Sequence, residues 1–508
     1  MTRQVSALSR EIKRQVGLLI TRKGRISHVV VGNNKRIWIP QLLKIRTGTG
    51  RLRGLRFVHT HLGKEPLSRE DMTDLVLIGL DLMGCIEVDH EGVPGPISYG
   101  HFLPGDRTGK GYVVQRVQDM GRLKVDFIQL IQSLEDELSR KWLGRSFKTR
   151  ERALLVGATT GAKWAEEESL NELEALAVSN EVEVAGKVVQ RIKGIDTRFM
   201  MGRGRLGELV LHCLQTGADL LIFNQELTPA QVKSLTDFTE MRIIDRSQLI
   251  LDIFSRRAVT REGKIQVELA QLNYLLPRLA TKNTAMSRLT GGIGGRGPGE
   301  TKLEINRRRV YERIAKLNRD LAGIGRQRQG RRRLRKRREL PVISIVGYTN
   351  AGKSTLLNAL TGSHVHTGNR LFETLDPSSR RLRFPREREA IITDTVGFIR
   401  DLPRSLMEAF AATLEEFNDS DLLLHVVDAS GKRMEQEINT VEDILRKLDL
   451  TEIPLLLVLN KCDRLKTLEA RMLQKRTGGV TLSAIHPPTL KPLVSRIEKI
   501  IWRHSSSP

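Results

Sequence analysis

The chain has few cysteines, few aromatics and no long apolar run. Cys85, Cys213 and Cys462 lie far apart and form no Cys-x-x-Cys pair. That excludes a disulfide framework and fits a reducing compartment. No stretch approaches the roughly 20 apolar residues of a membrane span. The opening Met-Thr-Arg-Gln-Val-Ser lacks the apolar core of a secretory signal, so the cytoplasm is the expected location. Acidic residues are also scarce relative to basic ones: Lys+Arg 84 against Asp+Glu 59, a formal charge of +25. This excess points to a polyanionic partner, nucleic acid first and an anionic membrane surface second. A peripheral position at a membrane is therefore the alternative location. Hydrophobic content of 39% suffices for ordinary cores, and the length allows about two to four domains.

One stretch organises the rest. Val342-Ile-Ser-Ile-Val346 is an apolar, β-branched run that reads as a buried strand. Gly347-Tyr348-Thr349-Asn350-Ala351-Gly352-Lys353-Ser354-Thr355 follows, and Leu356, Leu357 and Leu360 start a helical pattern. Strand, glycine loop and helix make a phosphate site: backbone N–H groups converge where no Cβ intrudes, and the helix N-terminus adds positive charge. Lys353 is expected to reach the β- and γ-phosphates, and Ser354 to place a hydroxyl on Mg²⁺.

Downstream motifs specify the base. Leu371-Phe372-Glu373-Thr374-Leu375-Asp376 offers Thr374 as a second Mg²⁺ ligand and γ-phosphate sensor. Asp394-Thr395-Val396-Gly397 follows a strand; its aspartate can hold the metal's shell and its glycine N–H can meet the γ-phosphate. Asn460-Lys461-Cys462-Asp463 follows another strand, and Asp463 can accept two hydrogen bonds from guanine, an edge that adenine lacks. Ser483, Ala484 and Ile485 are placed to contact the guanine oxygen. The ordered set predicts binding of GTP and GDP, with Lys353, Thr374, Gly397 and Asn350 as the catalytic group. Phe398 stands where Ras-like enzymes carry the glutamine that orients water, so intrinsic hydrolysis should be slow. Gly-x-x-Asn-x-Gly-Lys-Ser resembles the loops of potassium-stimulated GTPases, in which the asparagine helps hold K⁺. That resemblance implies faster hydrolysis in K⁺ than in Na⁺, lost in Asn350→Ala; equal wild-type rates in the two salts refute it.

Upstream, residues 1–148 read as an α+β extension. Val16–Ile20, Ser27–Val31 and Arg56–Val58 have strand composition, and Ser68 is placed to cap a helix. His59-Thr-His61 followed by Ser68-x-x-Asp71 resembles the zinc site of JAMM/MPN-type metalloproteases, with His59, His61 and Asp71 as the implied ligands. Leu62 stands where that pattern has proline, and Gln15 precedes the strand expected to carry a glutamate. A degenerate, non-catalytic relative, a capped helix beside surface histidines and an active protease all fit. Residues 149–257 alternate strands with helices, which implies a small parallel α/β sheet. Within them, Gly202-Arg-Gly-Arg-Leu-Gly207 is as consistent with a helix-start turn as with RNA contact. In 258–325, Ile265, Leu269, Leu272, Leu276 and Leu279 form one apolar seam, and Val310, Ile314, Leu317, Leu321 and Ile324 another. This is a helical hairpin around a glycine-rich loop, Gly291–Glu300. Residues 326–340 read as a basic linker, with nine basic residues between Gly325 and Arg338. Residues 341–508 are the nucleotide domain.

From about residue 150 to 500 the chain resembles the HflX family of ribosome-associated GTPases. The matching stretches are Ile244–Phe254, Arg261–Gln271, Leu275–Leu279, Gly294–Thr301 and Asp394–Ile399. The resemblance implies a multi-domain α/β protein. Its P-loop GTPase domain, a mixed sheet with helices on both faces, follows a small parallel α/β domain with a long helical hairpin. It also implies binding to the large ribosomal subunit and its RNA and, in some members, the splitting of stalled ribosomes; Mg²⁺ is the cofactor expected from the loop, and a monomer the expected state. A factor in large-subunit assembly is the competing reading. The first 148 residues lie outside the family core, and little chain remains after Ile485 for the extra C-terminal domain of some members.

Overall fold

Runs of β-branched and aliphatic residues, broken by glycine, proline and capping residues, set the strands of three sheets among the described residues. The computed structural model describes residues 1–39, 52–63, 65–103, 111–143, 151–239, 241–281, 302–336, 340–362, 372, 378–384, 388–394, 397–399, 406, 415–431 and 433–502. It divides into two compact units, Met1–Arg246 and Ser247–Pro508.

In the first unit, β1 (Val16–Thr21), β2 (Ile26–Val31), β3 (Leu55–His61), β4 (Leu82–Val88), β5 (Pro94–Phe102) and β6 (Tyr112–Val117) form a sheet ordered β2-β1-β3-β4-β5-β6. All its pairs are antiparallel except β3 with β4. A parallel pair needs a crossover, and the helix Arg69–Ile78 supplies it. Its capping box is complete: Ser68 Oγ accepts from Asp71 N at 3.1 Å, and Asp71 Oδ2 accepts from Ser68 N at 2.8 Å. The strands β4 to β6 and the helices Thr2–Glu11 and Phe127–Leu143 add to the elements read from sequence.

The second sheet is wholly parallel, as the alternation implied. It contains β7 (Arg152–Thr159), β8 (Glu183–Arg191), β9 (Leu220–Phe223) and β10 (Arg242–Asp245), ordered β10-β9-β7-β8. Leu154, Leu155, Val156 and Leu221 to Phe223 have no exposed surface, which fits strands covered on both faces. One apolar core joins the two sheets of this unit: Val76, Leu77, Phe102 and Leu138 pack with Leu154, Leu206 and Leu211. The N-terminal extension is thus built into the body of the α/β layer.

In the second unit, the helices Arg261–Thr281 and Lys302–Lys336 close on Ile265, Leu269 and Leu317, flanked by Leu272, Ile314, Leu321 and Ile324. Arg313 grips both carboxylate oxygens of Glu268 across this seam, at 2.6 and 2.7 Å. The basic segment expected as a linker is helical as far as Lys336 and prolongs the second hairpin helix. Arg, Lys, Gln and Leu are good helix formers, and a charge run does not by itself break a helix. The glycine loop 291–300 lies outside the described residues.

The third sheet is β12-β13-β11-β14-β15-β16, made of β11 (Val342–Gly347), β12 (Ser378–Arg383), β13 (Glu389–Asp394), β14 (Leu422–Asp428), β15 (Leu455–Asn460) and β16 (Val480–Thr481). All neighbours are parallel except the edge pair β12–β13, so the sheet is mixed. One face packs beneath the helices Lys353–Thr361 and Lys491–Ile501, where Ile343, Ile345, Leu357, Leu424, Leu493 and Ile497 are buried. No helix among the described residues is long and apolar enough to cross a membrane.

Candidate functional site

β11 is flanked by β13 and β14, so its C-terminal end lies between theirs, where open α/β sheets bind ligands. Two glycines make the loop possible. Gly347 has φ +152°, and a Cβ there would come within 2.1 Å of the Val426 carbonyl oxygen. At Gly397 a Cβ would sit 2.7 Å from Thr349 Cγ2 and 2.9 Å from Lys353 Nζ. Asn350 is exposed and carries a positive φ of 64°, a conformation that asparagine tolerates better than most residues.

Lys353 is buried, and its ammonium donates to the carbonyls of Gly347 at 3.2 Å and Tyr348 at 2.9 Å. Burial lowers its pKa to about 8, and the charge of Asp394 partly offsets that. Ser354 Oγ donates to Asp394 Oδ2 at 2.6 Å. This pairs the hydroxyl at the helix start with the carboxylate at the end of β13. Both are hard oxygen donors, the type that Mg²⁺ takes.

Asn460 and Lys461 brace the loop from β15. Asn460 Nδ2 donates to Ala351 O at 2.9 Å, and Asn460 Oδ1 accepts from Ala484 N at 3.0 Å. Lys461 donates to Asn350 O at 2.8 Å and to Asp428 Oδ2 at 2.7 Å. Burial opposes ionisation of Asp428, but hydrogen bonds from Lys461 and Ser430 outweigh it and hold its carboxyl below the usual range. Ser483 Oγ donates to Asp463 Oδ1 at 2.5 Å, so the carboxylate expected to read the base is held in place. Ile485 is largely exposed beside it in sequence.

Phe398 is locked to the loop by its backbone. Its N–H donates to Gly347 O at 3.1 Å and its carbonyl accepts from Thr349 N at 2.8 Å, while its ring is 2% exposed. The side chain that replaces the water-orienting glutamine is therefore spent on packing. Phe372, expected among the nucleotide contacts, is also buried; its ring meets Phe254 edge-on at 4.6 Å. Glu373, Thr374, Leu375, Asp376, Thr395 and Val396 lie outside the described residues.

The sequence reading missed two residues of this site. Asp428 ends β14, and only the fold reveals it as the partner of Lys461. His425, on the same strand, is buried, and neither of its ring nitrogens has a hydrogen-bond partner among the described residues. Burial, with a smaller effect from the charge of Lys353, lowers its pKa to about 4 and keeps it neutral.

Comparison with known proteins adds the lineage of this arrangement. Residues 167–255 match the family model described as "GTP-binding GTPase N-terminal", 257–335 "GTP-binding GTPase Middle Region" and 342–461 "50S ribosome-binding GTPase". GTPase HflX of Caldanaerobacter subterraneus subsp. tengcongensis is 45% identical over 372 residues, spanning 72% of this chain and 86% of that protein. GTPase HflX of Escherichia coli is 45% identical over 345 residues, 66% of this chain and 81% of that protein. A GTP-binding protein from the archaeon Sulfolobus solfataricus, solved with GDP, is 24% identical over 70% of this chain and 99% of its own, with a TM-score of 0.38. The three family matches all begin after the N-terminal sheet.

Proposed function

The chain belongs to the HflX family of GTPases, and from that premise we propose that it binds the large ribosomal subunit and couples GTP hydrolysis to ribosome splitting or recycling under stress. The hydrolysis of GTP to GDP and phosphate follows from the family; the ribosomal step is our reading. The observation that carries it is the hairpin. Its second helix runs unbroken from Lys302 into the basic segment, described as helix through Lys336, and β11 begins at Val342. Such a helix can lay cationic side chains along RNA phosphates and report on the nucleotide through a short connection. The description of the family matched by residues 342–461, 50S ribosome-binding, supports the same partner.

The site residues take these roles in the proposal. Loop N–H groups and the Lys353 ammonium hold the β- and γ-phosphates. Lys353 now bonds two loop carbonyls and would exchange them for phosphate oxygens. Mg²⁺ neutralises the phosphate oxygens when bound, and Ser354, Thr374 and Asp394 would hold it. Gly397 gives its N–H to the γ-phosphate. Asp463, steadied by Ser483, accepts from guanine. The chain places no hydrogen-bonding side chain at position 398, so an efficient attack by water calls for a group supplied from elsewhere. Asn350 is the proposed K⁺ ligand of the loop.

A sucrose gradient with a non-hydrolysable GTP analogue tests the ribosomal step. Co-migration with mature large subunits and depletion of whole ribosomes is the expected result. Co-migration with large-subunit precursors alone would replace it by an assembly role.

A further inference from the structure

Four side chains that the nucleotide site does not use converge in the N-terminal sheet. His59 and His61 stand two apart on β3 and so share a face of the sheet. Cys85, on the parallel strand β4, is the register partner of His59. The helix Arg69–Ile78 crosses between these strands and carries Asp71 in its first turn. One β-α-β unit thus gathers nitrogen, oxygen and sulfur donors. His59 and Cys85 have no exposed surface, and His61 has 7%.

The spacings among His59, His61 and Asp71 lie close to those of neighbouring ligands on one metal ion. His59 Nε2 and His61 Nε2 are 3.0 Å apart. His59 Nε2 is 3.4 Å from Asp71 Oδ1, and His61 Nε2 is 3.7 Å from Asp71 Oδ2. The two longer distances exceed an ordinary N–H···O bond. Tetrahedral zinc, with bonds of about 2.0–2.1 Å, sets neighbouring nitrogen and oxygen ligands about 3.3–3.4 Å apart. The observed separations bracket that edge. The donor atoms of His59, His61 and Cys85 all lie within 4.8 Å of one another.

Outer contacts aim two of the ligands, His61 and Asp71, while His59 Nδ1 is buried with no hydrogen-bond partner among the described residues. His61 Nδ1 lies 3.0 Å from the Glu65 carbonyl, which takes the ring proton there and leaves the Nε2 lone pair for the centre. The backbone N–H and hydroxyl of Ser68 hold Asp71 Oδ2 at 2.8 and 2.7 Å, so the helix cap also orients the carboxylate. Imidazole and thiol donors favour zinc over Mg²⁺ or Ca²⁺.

We propose that His59, His61, Asp71 and Cys85 form a zinc site that ties β3, β4 and the helix Arg69–Ile78 together. Sulfur in the fourth position leaves no place for a reactive water. The site is therefore structural and not hydrolytic, which parts it from the protease reading of the same His-x-His pattern.

Full-length protein, loaded with zinc and dialysed against buffer, tests this by elemental analysis. Stoichiometric zinc is expected in wild type and background zinc in His61→Ala, with GTPase activity unchanged in both. Replacing zinc with Co²⁺ should give a thiolate-to-cobalt charge-transfer band that Cys85→Ser loses. Background zinc in wild type overturns the site whether or not any variant folds. Zinc retained equally by His61→Ala also overturns it. A cobalt spectrum without the thiolate band overturns the closed, sulfur-bound form.

Discussion

Burial governs the charge of Lys353 and so the pH range over which the phosphate loop works. Without nucleotide its pKa is lowered to about 8, because two backbone carbonyls replace water only in part. Triphosphate favours the ammonium, so the pKa in the complex must lie higher. The sign follows: affinity is full below pH 8 and falls as pH rises past that value, with one proton taken up on binding. Titration calorimetry in two buffers of different ionisation enthalpy should detect that proton at about pH 9 and little of it at about pH 7. No uptake at the higher pH would mean that Lys353 is already charged in the empty loop. The residue types of this site were readable from sequence, because phosphate, metal and guanine chemistry each demand particular groups at particular spacings. Their present partners were not. Ser354 with Asp394, Lys461 with Asp428 and Ser483 with Asp463 join residues from different strand ends.

Among the elements, the hairpin was legible from its two apolar seams, which recur at three- and four-residue steps. The extent of its second helix was not. Arg331–Arg333 suggested a solvated connector, but the backbone continues as helix through them. If Arg331, Arg332 and Arg333 contact phosphates, replacing all three with glutamine should reduce the slope of log affinity against log salt for large-subunit RNA. The expected reduction is up to about 3. Filter binding across a salt series measures it, and an unchanged slope would remove this helix from the RNA interface. The strands β4 and β5 were not among the elements read from sequence. They carry Gly84, Gly95, Gly100, Pro94 and Pro96, residues depleted in strands, and pairing with neighbouring strands overrides that local preference.

For the molecule as a whole, charge and composition pointed to a nucleic-acid partner and separate regions of chain. Packing redraws those regions. Residues 1–148 read as an extension outside the family core, and the family matches start beyond them. Yet Val76, Leu77, Phe102 and Leu138 share one core with Leu154 and Leu206. Their burial contributes to the stability of the parallel sheet as well as their own, on the order of 1.5–3 kcal/mol per large apolar side chain. A loss of zinc from the first sheet would therefore be felt across the whole unit Met1–Arg246.

The sequence by itself determined the proposed chemistry: the phosphate-loop motif, Asp463 as the proposed reader of guanine, a phenylalanine at position 398 and the +25 charge. These follow from residue identity and short spacing, which a linear chain displays directly. Tertiary structure alone decided which distant groups meet. It set Cys85 beside His59, Asp428 beside Lys461 and Phe254 against Phe372. Each of those contacts depends on strand register or helix packing, and the energies that fix these belong to the fold rather than to any local run of residues.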